Sequence, residues 1–207
     1  MLTPTTETEK KIRIDILNAS FSAKACHIGS SLSCVDILVD LFYTKKIKPE
    51  QFIFSKASGS CTFYAILSDL GYFPKEKLAG YLRDYPEVSK EVPGVIWSGG
   101  SVGHGLAVAT GLAYADRTKD IYVLLSDGEC QEGTIWESAL IASHHNLDNL
   151  TAIIDHNKLQ ALDRIENILS LGNLAEKFTE FGWNVIEVNG HDIHELTKAF
   201  ESQTKEN

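Results

Sequence analysis

The residues with the most chemistry to offer are Ser126-Asp127-Gly128-Glu129 and, thirty positions beyond the aspartate (157 − 127 = 30), Asn157-Lys158-Leu159. One carboxylate, one amide oxygen and a backbone carbonyl suit a hard divalent cation, and magnesium takes one or two protein oxygens together with phosphate and water. Asp127, Asn157 and the carbonyl of Leu159 are therefore candidate metal ligands. Gly128 lets the backbone approach a phosphate closely, and a helix beginning just after it would present its positive end to the same charge. The chemistry that fits is the capture of a diphosphate through Mg²⁺. Asp-Gly and Asn-Lys taken singly are ordinary turn dipeptides, so the argument rests on the pair and on what lies between them.

What lies between them is a set of elements able to aim both side chains at one place. Ile121-Tyr122-Val123-Leu124-Leu125 and Leu150-Thr151-Ala152-Ile153-Ile154 are apolar, β-branched runs of strand length. From Gln131 to Asn146 the apolar residues Ile135, Trp136, Ala139, Leu140 and Ala142 recur at helical spacing. Strand, helix, strand at this length is a right-handed parallel unit, with Asp127 and Asn157 at the carboxyl ends of two strands. The predicted fold class is α/β, a parallel sheet of five or six strands with helices on both faces.

The rest of the chain reads as more of the same domain. Helices are expected over Ile12 to Ala25, Ser33 to Tyr43 with Ser33 as cap, Ser58 to Leu70 stopped by Gly71, Val102 to Tyr114, Leu171 to Phe181 and Asp192 to Phe200. Strands are expected at Phe52-Ile53-Phe54 and at Asn184 to Val188, with a turn-rich surface stretch from Pro74 to Pro93. A single domain over residues 1–207 with short polar tails accounts for the length. Hydrophobic residues at 43% and charged residues at 23% are ordinary for a globule, and no segment has the length and apolarity of a membrane span. A net charge of −9 without a basic stripe argues against a nucleic-acid partner. The polar amino terminus and four scattered cysteines, Cys26, Cys34, Cys61 and Cys130, lead us to expect a cytoplasmic protein with reduced thiols.

Taken in order, the motifs resemble one family. Asp127-Gly128 with Asn157 is similar to the thiamine diphosphate fingerprint, and the flanking residues narrow the resemblance to transketolases. These are Lys24 to Ser33, Gly100-Ser101-Val102-Gly103-His104-Gly105, Gly182-Trp183 and Asn189-Gly190-His191-Asp192. The similarity runs from about Lys11 to Phe200. It implies thiamine diphosphate and Mg²⁺ as cofactors, with Ser58, Gly100, Val102, Asp127, Gly128, Glu129 and Asn157 binding the cofactor. His27 would face the thiazolium and substrate, and Glu132 would link paired active sites, although a first-turn acid favoured by the helix dipole describes Glu132 equally well. His104 and His191 are expected to be structural.

Two-carbon ketol transfer between sugars or sugar phosphates is the activity the resemblance implies. The glutamate that activates the cofactor belongs to the family's pyrimidine-binding domain, so a second, carboxy-terminal subunit is expected, in an α2β2 assembly. The sequence also departs from the family pattern. Ser58 and Tyr85 stand where histidines are usual, and Ser126 replaces a glycine. An altered substrate range is one reading of those changes. A subunit of another thiamine diphosphate enzyme, such as a 2-oxo acid dehydrogenase or synthase, and a non-catalytic relative are the alternatives.

Overall fold

The computed structural model describes residues 4–202; the first three residues and most of the polar carboxyl-terminal tail lie outside them. The chain divides into two compact units. One comprises residues 1–50, 57–100 and 188–207, and the other 51–56 and 101–187.

The first unit is helical. It contains α1 (Pro4–Ala23), α2 (Ile28–Ser33), α3 (Val35–Val39), α4 (Ser60–Asp69), α5 (Leu78–Asp84) and α10 (Ile193–Ser202). On α1 a stripe at three- and four-residue spacing, Ile12, Ile16 and Ala19, is buried. The helix expected from Ser33 is broken instead at Cys34 (φ −100°), which separates α2 from α3, and α3 runs on into a π-helical turn at Asp40–Thr44. Buried Asp36 receives two Arg13 guanidinium contacts of 2.6 Å and lies 2.7 Å from Nδ1 of His191, which agrees with a structural His191. Gly71 (φ 85°) ends α4, as its position predicts. The stretch from Pro74 to Pro93 holds more order than its composition suggests. Leu78 and Leu82, four apart and both buried, anchor α5 within it.

The second unit carries the sheet. Three parallel strands, β1 (Phe52–Phe54), β2 (Ile121–Ser126) and β3 (Leu150–Asp155), lie in the order β1-β2-β3. With them are α6 (His104–Ala115), α7 (Gly133–His144), α8 (Ile165–Leu169) and α9 (Leu174–Glu180). Five successive residues of β2, Ile121 to Leu125, are buried, so both faces of the central strand are covered. The α/β parallel class is as expected, but the number of strands is not. Three strands form among the described residues instead of five or six, and Asn184 to Val188 joins no ladder. None of those five side chains is buried, so no apolar face drives the segment onto the sheet. The helix expected from Val102 begins at His104, because Gly103 adopts φ 82°, which a right-handed helix cannot contain.

Candidate active site

β2 and β3 are adjacent and parallel, with Ser126 opposite Asp155. Their carboxyl ends deliver Asp127 and Asn157 to the same edge of the sheet, as the motif spacing predicts. Asp127 is 1% exposed. Its Oδ1 accepts the N–H of Gly128 at 2.9 Å, and its Oδ2 accepts the N–H of Lys158 at 2.7 Å. The second bond ties the β2 loop to the residue beside Asn157. Burial raises the Asp127 pKa, opposed by those two N–H groups. A cation against the carboxylate would reverse that burden.

Asn157 Oδ1 accepts the N–H of Leu159 at 2.9 Å, an Asx turn that sets the course of the backbone at Leu159. Lys158 between them has φ 64°. An amide oxygen has two lone pairs, so Asn157 can hold this turn and still ligate a metal. The Leu159 side chain is 61% exposed and makes no core contribution that would compete with a role for its carbonyl. No three His, Cys, Asp or Glu side chains gather as a metal cage among the described residues. A cation held here would therefore complete its shell from phosphate and water, as magnesium does.

Glu129 is 3% exposed, and its carboxylate is engaged on both oxygens. Oε1 accepts the Ser55 hydroxyl and the N–H of Gly103 (3.2 Å), while Oε2 accepts the N–H of Ser126 (2.7 Å). The Glu129 N–H returns to Ser126 Oγ at 3.3 Å, which completes a capping box at the 3₁₀ turn Asp127–Gln131. Burial raises its pKa and these donors oppose the rise. The hydroxyl of Ser126 is thus part of the turn. Gly103 is fixed twice more: its carbonyl accepts Thr134 Oγ1 at 3.2 Å, and a Cβ would stand 2.8 Å from the Glu132 Cβ. Glu132 itself is exposed and occupies the N-cap of α7 without a side-chain cap bond. Val102, before this fixed glycine, is 52% exposed. Ser101 Oγ lies 3.2 Å from His104 Nε2, in keeping with a structural His104.

His27, Ser58 and Gly100 belong to the helical unit. His27 is exposed, has φ 66° and precedes α2 without capping it through its side chain. Ser58 Oγ lies 2.8 Å from Ser30 Oγ. His27 and Ser58 line one cavity of about 210 Å³, together with Cys26, Ser31, Ser60 and Arg83. Gly100 (φ 139°) is exposed, and a Cβ there would meet Glu87 Oε2 at 3.3 Å.

Three residues of this region were not singled out from sequence for any role in the site: Ser55, Lys56 and Asp155. Lys56 is 2% exposed and its Nζ lies 2.8 Å from Asp155 Oδ2. The signal lies in a lysine two residues after the β1 run and an acid ending the β3 run, since charges at such positions are buried only when paired.

Residues 5–207 match the thiamine diphosphate binding domain of transketolase. The chain belongs to the transketolase family. That is a family of transferases, and some relatives of this chain are separate subunits. It is 39% identical over 220 residues to an apulose-4-phosphate transketolase subunit of Actinobacillus succinogenes, a match covering 95% of this chain and 79% of the relative. It is 34% identical to the protein of the same name from Phocaeicola vulgatus, covering 93% and 75%. Among solved structures, transketolase of Campylobacter jejuni aligns with a TM-score of 0.89 at 27% identity, over 99% of this chain and 36% of that one. The chain thus spans about a third of a solved transketolase polypeptide and most of the relatives that are themselves named as subunits.

Proposed function

We propose that this chain is the amino-terminal, diphosphate-binding subunit of a cytoplasmic, two-subunit transketolase-type enzyme. Both compact units would form one thiamine diphosphate domain, working in an α2β2 assembly with a subunit that carries the pyrimidine-binding domain. The observation that carries this reading is the buried Asp127 at the end of β2, bonded to the backbone beside Asn157 at the end of β3. A buried carboxylate next to an amide oxygen, at strand ends, suits a metal diphosphate. In this reading Asp127, Asn157 and the Leu159 carbonyl hold Mg²⁺. Gly128 and Ser58 meet the diphosphate, and Gly100 and Val102 meet the aminopyrimidine. Glu129 acts on the cradle by fixing Gly103 and Ser126.

Bound there, thiamine diphosphate supplies the carbon that carries a two-carbon ketol unit between sugars. The protein's part is orientation and proton handling. His27, exposed on the cavity it shares with Ser58, bonds a sugar hydroxyl and moves its proton. Glu132, exposed at the start of α7, faces the paired site. The relatives named for apulose 4-phosphate support a sugar-phosphate substrate and a partner subunit. Ser58 and Tyr85, in place of the family's histidines, support a changed specificity.

Titration calorimetry with thiamine diphosphate and Mg²⁺, on the chain reconstituted with its partner subunit, tests the clamp. Asp127→Ala should abolish Mg²⁺-dependent binding, and Asn157→Ala should weaken it about 10- to 100-fold while leaving the fold intact. Undiminished affinity in Asp127→Ala rejects the reading.

A further inference from the structure

We propose that Ser55 and Lys56, the two residues leaving β1, act as a positioning clip that holds the metal-diphosphate clamp of the neighbouring strands in its binding geometry. The inference rests on the proposed function and extends it to residues with no contact to metal or cofactor.

The clip begins in the backbone. The N–H groups of Ser55 and Lys56 both donate to the Leu124 carbonyl, at 2.9 and 3.1 Å, so the exit from β1 is fastened to β2 as the ladder ends. From that fixed point the two side chains diverge. Ser55 Oγ donates to Glu129, whose carboxylate also takes the N–H groups of Ser126 and Gly103. One hydroxyl thereby reaches the residue before Asp127 and the turn after Val102. Lys56 reaches the far strand, where Asp155 stands two residues before Asn157. The circuit closes through the Lys158 N–H to Asp127 Oδ2. Three strand ends are linked in a ring, and every proposed metal ligand lies on it or within two residues of it.

Stability alone does not account for a buried lysine here. A buried ion pair is commonly no more stabilising than apolar residues of similar volume, so Met opposite Leu would serve a core as well. What apolar residues cannot do is hold the β3 end to the β1 exit by charge, as this ion pair does at 2.8 Å. Residues that orient ligands without touching the metal commonly change affinity about 10- to 100-fold.

The test separates geometry from stability with Lys56→Met/Asp155→Leu, which replaces the ion pair by an apolar pair, and Lys56→Arg, which keeps it. In the full-length chain we expect the double variant to unfold near the same urea concentration as the unaltered protein. Reconstituted with a partner subunit, it should nonetheless bind thiamine diphosphate with Mg²⁺ about 10- to 100-fold more weakly, and Lys56→Arg should recover most of that loss. Without cofactor, hydrogen exchange at the Lys158 amide should speed up roughly tenfold in the double variant as the ring opens. Unchanged affinity and unchanged Lys158 exchange in the double variant would overturn the clip. Should the unaltered chain bind no cofactor even when reconstituted with a partner subunit, the proposed function fails, and the exchange measurement still decides whether the clip exists.

Discussion

Two glycines on one helix should respond in opposite directions to the same substitution. Gly105 and Gly111 both lie in α6, where alanine is worth about 1 kcal/mol more than glycine by helix propensity. At Gly111 an added Cβ meets nothing within 4 Å, so Gly111→Ala should stabilise the chain by about 0.5–1 kcal/mol. At Gly105 the Cβ would fall 2.3 Å from the Ser55 Cβ and 3.0 Å from its Cα. Carbon atoms rest about 3.5–4.0 Å apart, so helix and loop must separate by over ~1 Å, and rotating the Ser55 side chain cannot relieve a clash with its Cα. Overpacking of this kind costs about 1–3 kcal/mol. The displacement also pulls on the hydrogen bonds that Ser55 and Gly103 give to Glu129, where loss of one charged bond costs about 1.5–3 kcal/mol. Set against the propensity gain, Gly105→Ala should destabilise by roughly 2–5 kcal/mol. Urea unfolding of the two variants, with slope as well as midpoint recorded, measures the difference. Gly105→Ala at or above the stability of the unaltered chain would refute the close approach of α6 to the β1 exit.

Three further outcomes are expected. The purified chain alone should show no ketol transfer, with activity appearing when a subunit carrying the pyrimidine-binding domain is added; turnover by the chain alone in a rigorously purified sample would discard the two-subunit reading. Ser58→His with Tyr85→His should raise kcat/KM for xylulose 5-phosphate in the two-subunit enzyme, since serine and tyrosine neither carry positive charge nor titrate near neutrality. No gain, with native activity already that of an ordinary transketolase, would show these positions to be neutral. Arg13→Ala should destabilise the chain by about 1–3 kcal/mol in urea, because buried Asp36 loses a charged donor pair and keeps His191. A change within experimental error would mean that solvent replaces the guanidinium freely.

The parts of this molecule legible in its sequence are those where one pattern had one meaning. β2 and β3 are unbroken apolar runs ending in residues that could bind a metal, and α7 has clear helical spacing, so the strand-end placement of Asp127 and Asn157 followed directly. Where a pattern had two meanings, structure decided. Val185, Ile186 and Val188 have strand propensity, but none is buried, and propensity without a face to cover does not make a strand. Leu78 and Leu82 were hidden in a polar stretch because two buried positions suffice for a two-turn helix. Ser126 reads in the sequence as a substitution for glycine, and its role is to cap the turn. Lys56 and Asp155 lie about a hundred residues apart (155 − 56 = 99), and nothing local to either names the other. Long-range pairing is what linear spacing cannot express.

The interruption of the sheet-bearing unit has a consequence for how the protein is made. β1 leaves the ribosome long before the strand it pairs with, since Ile121 follows Phe54 by 67 positions (121 − 54 = 67). At about 5–20 residues per second that interval is roughly 3–13 s. Throughout it Phe52, Ile53 and Phe54, all buried in the finished protein, have no ladder to join. The nascent chain therefore presents a short, sticky aromatic segment when only α1, α2 and α3 of the other unit are already complete in sequence. Such a window favours early capture by a chaperone, and it makes the joining of β1 to β2 a late event in folding, slow because the loop it closes is long.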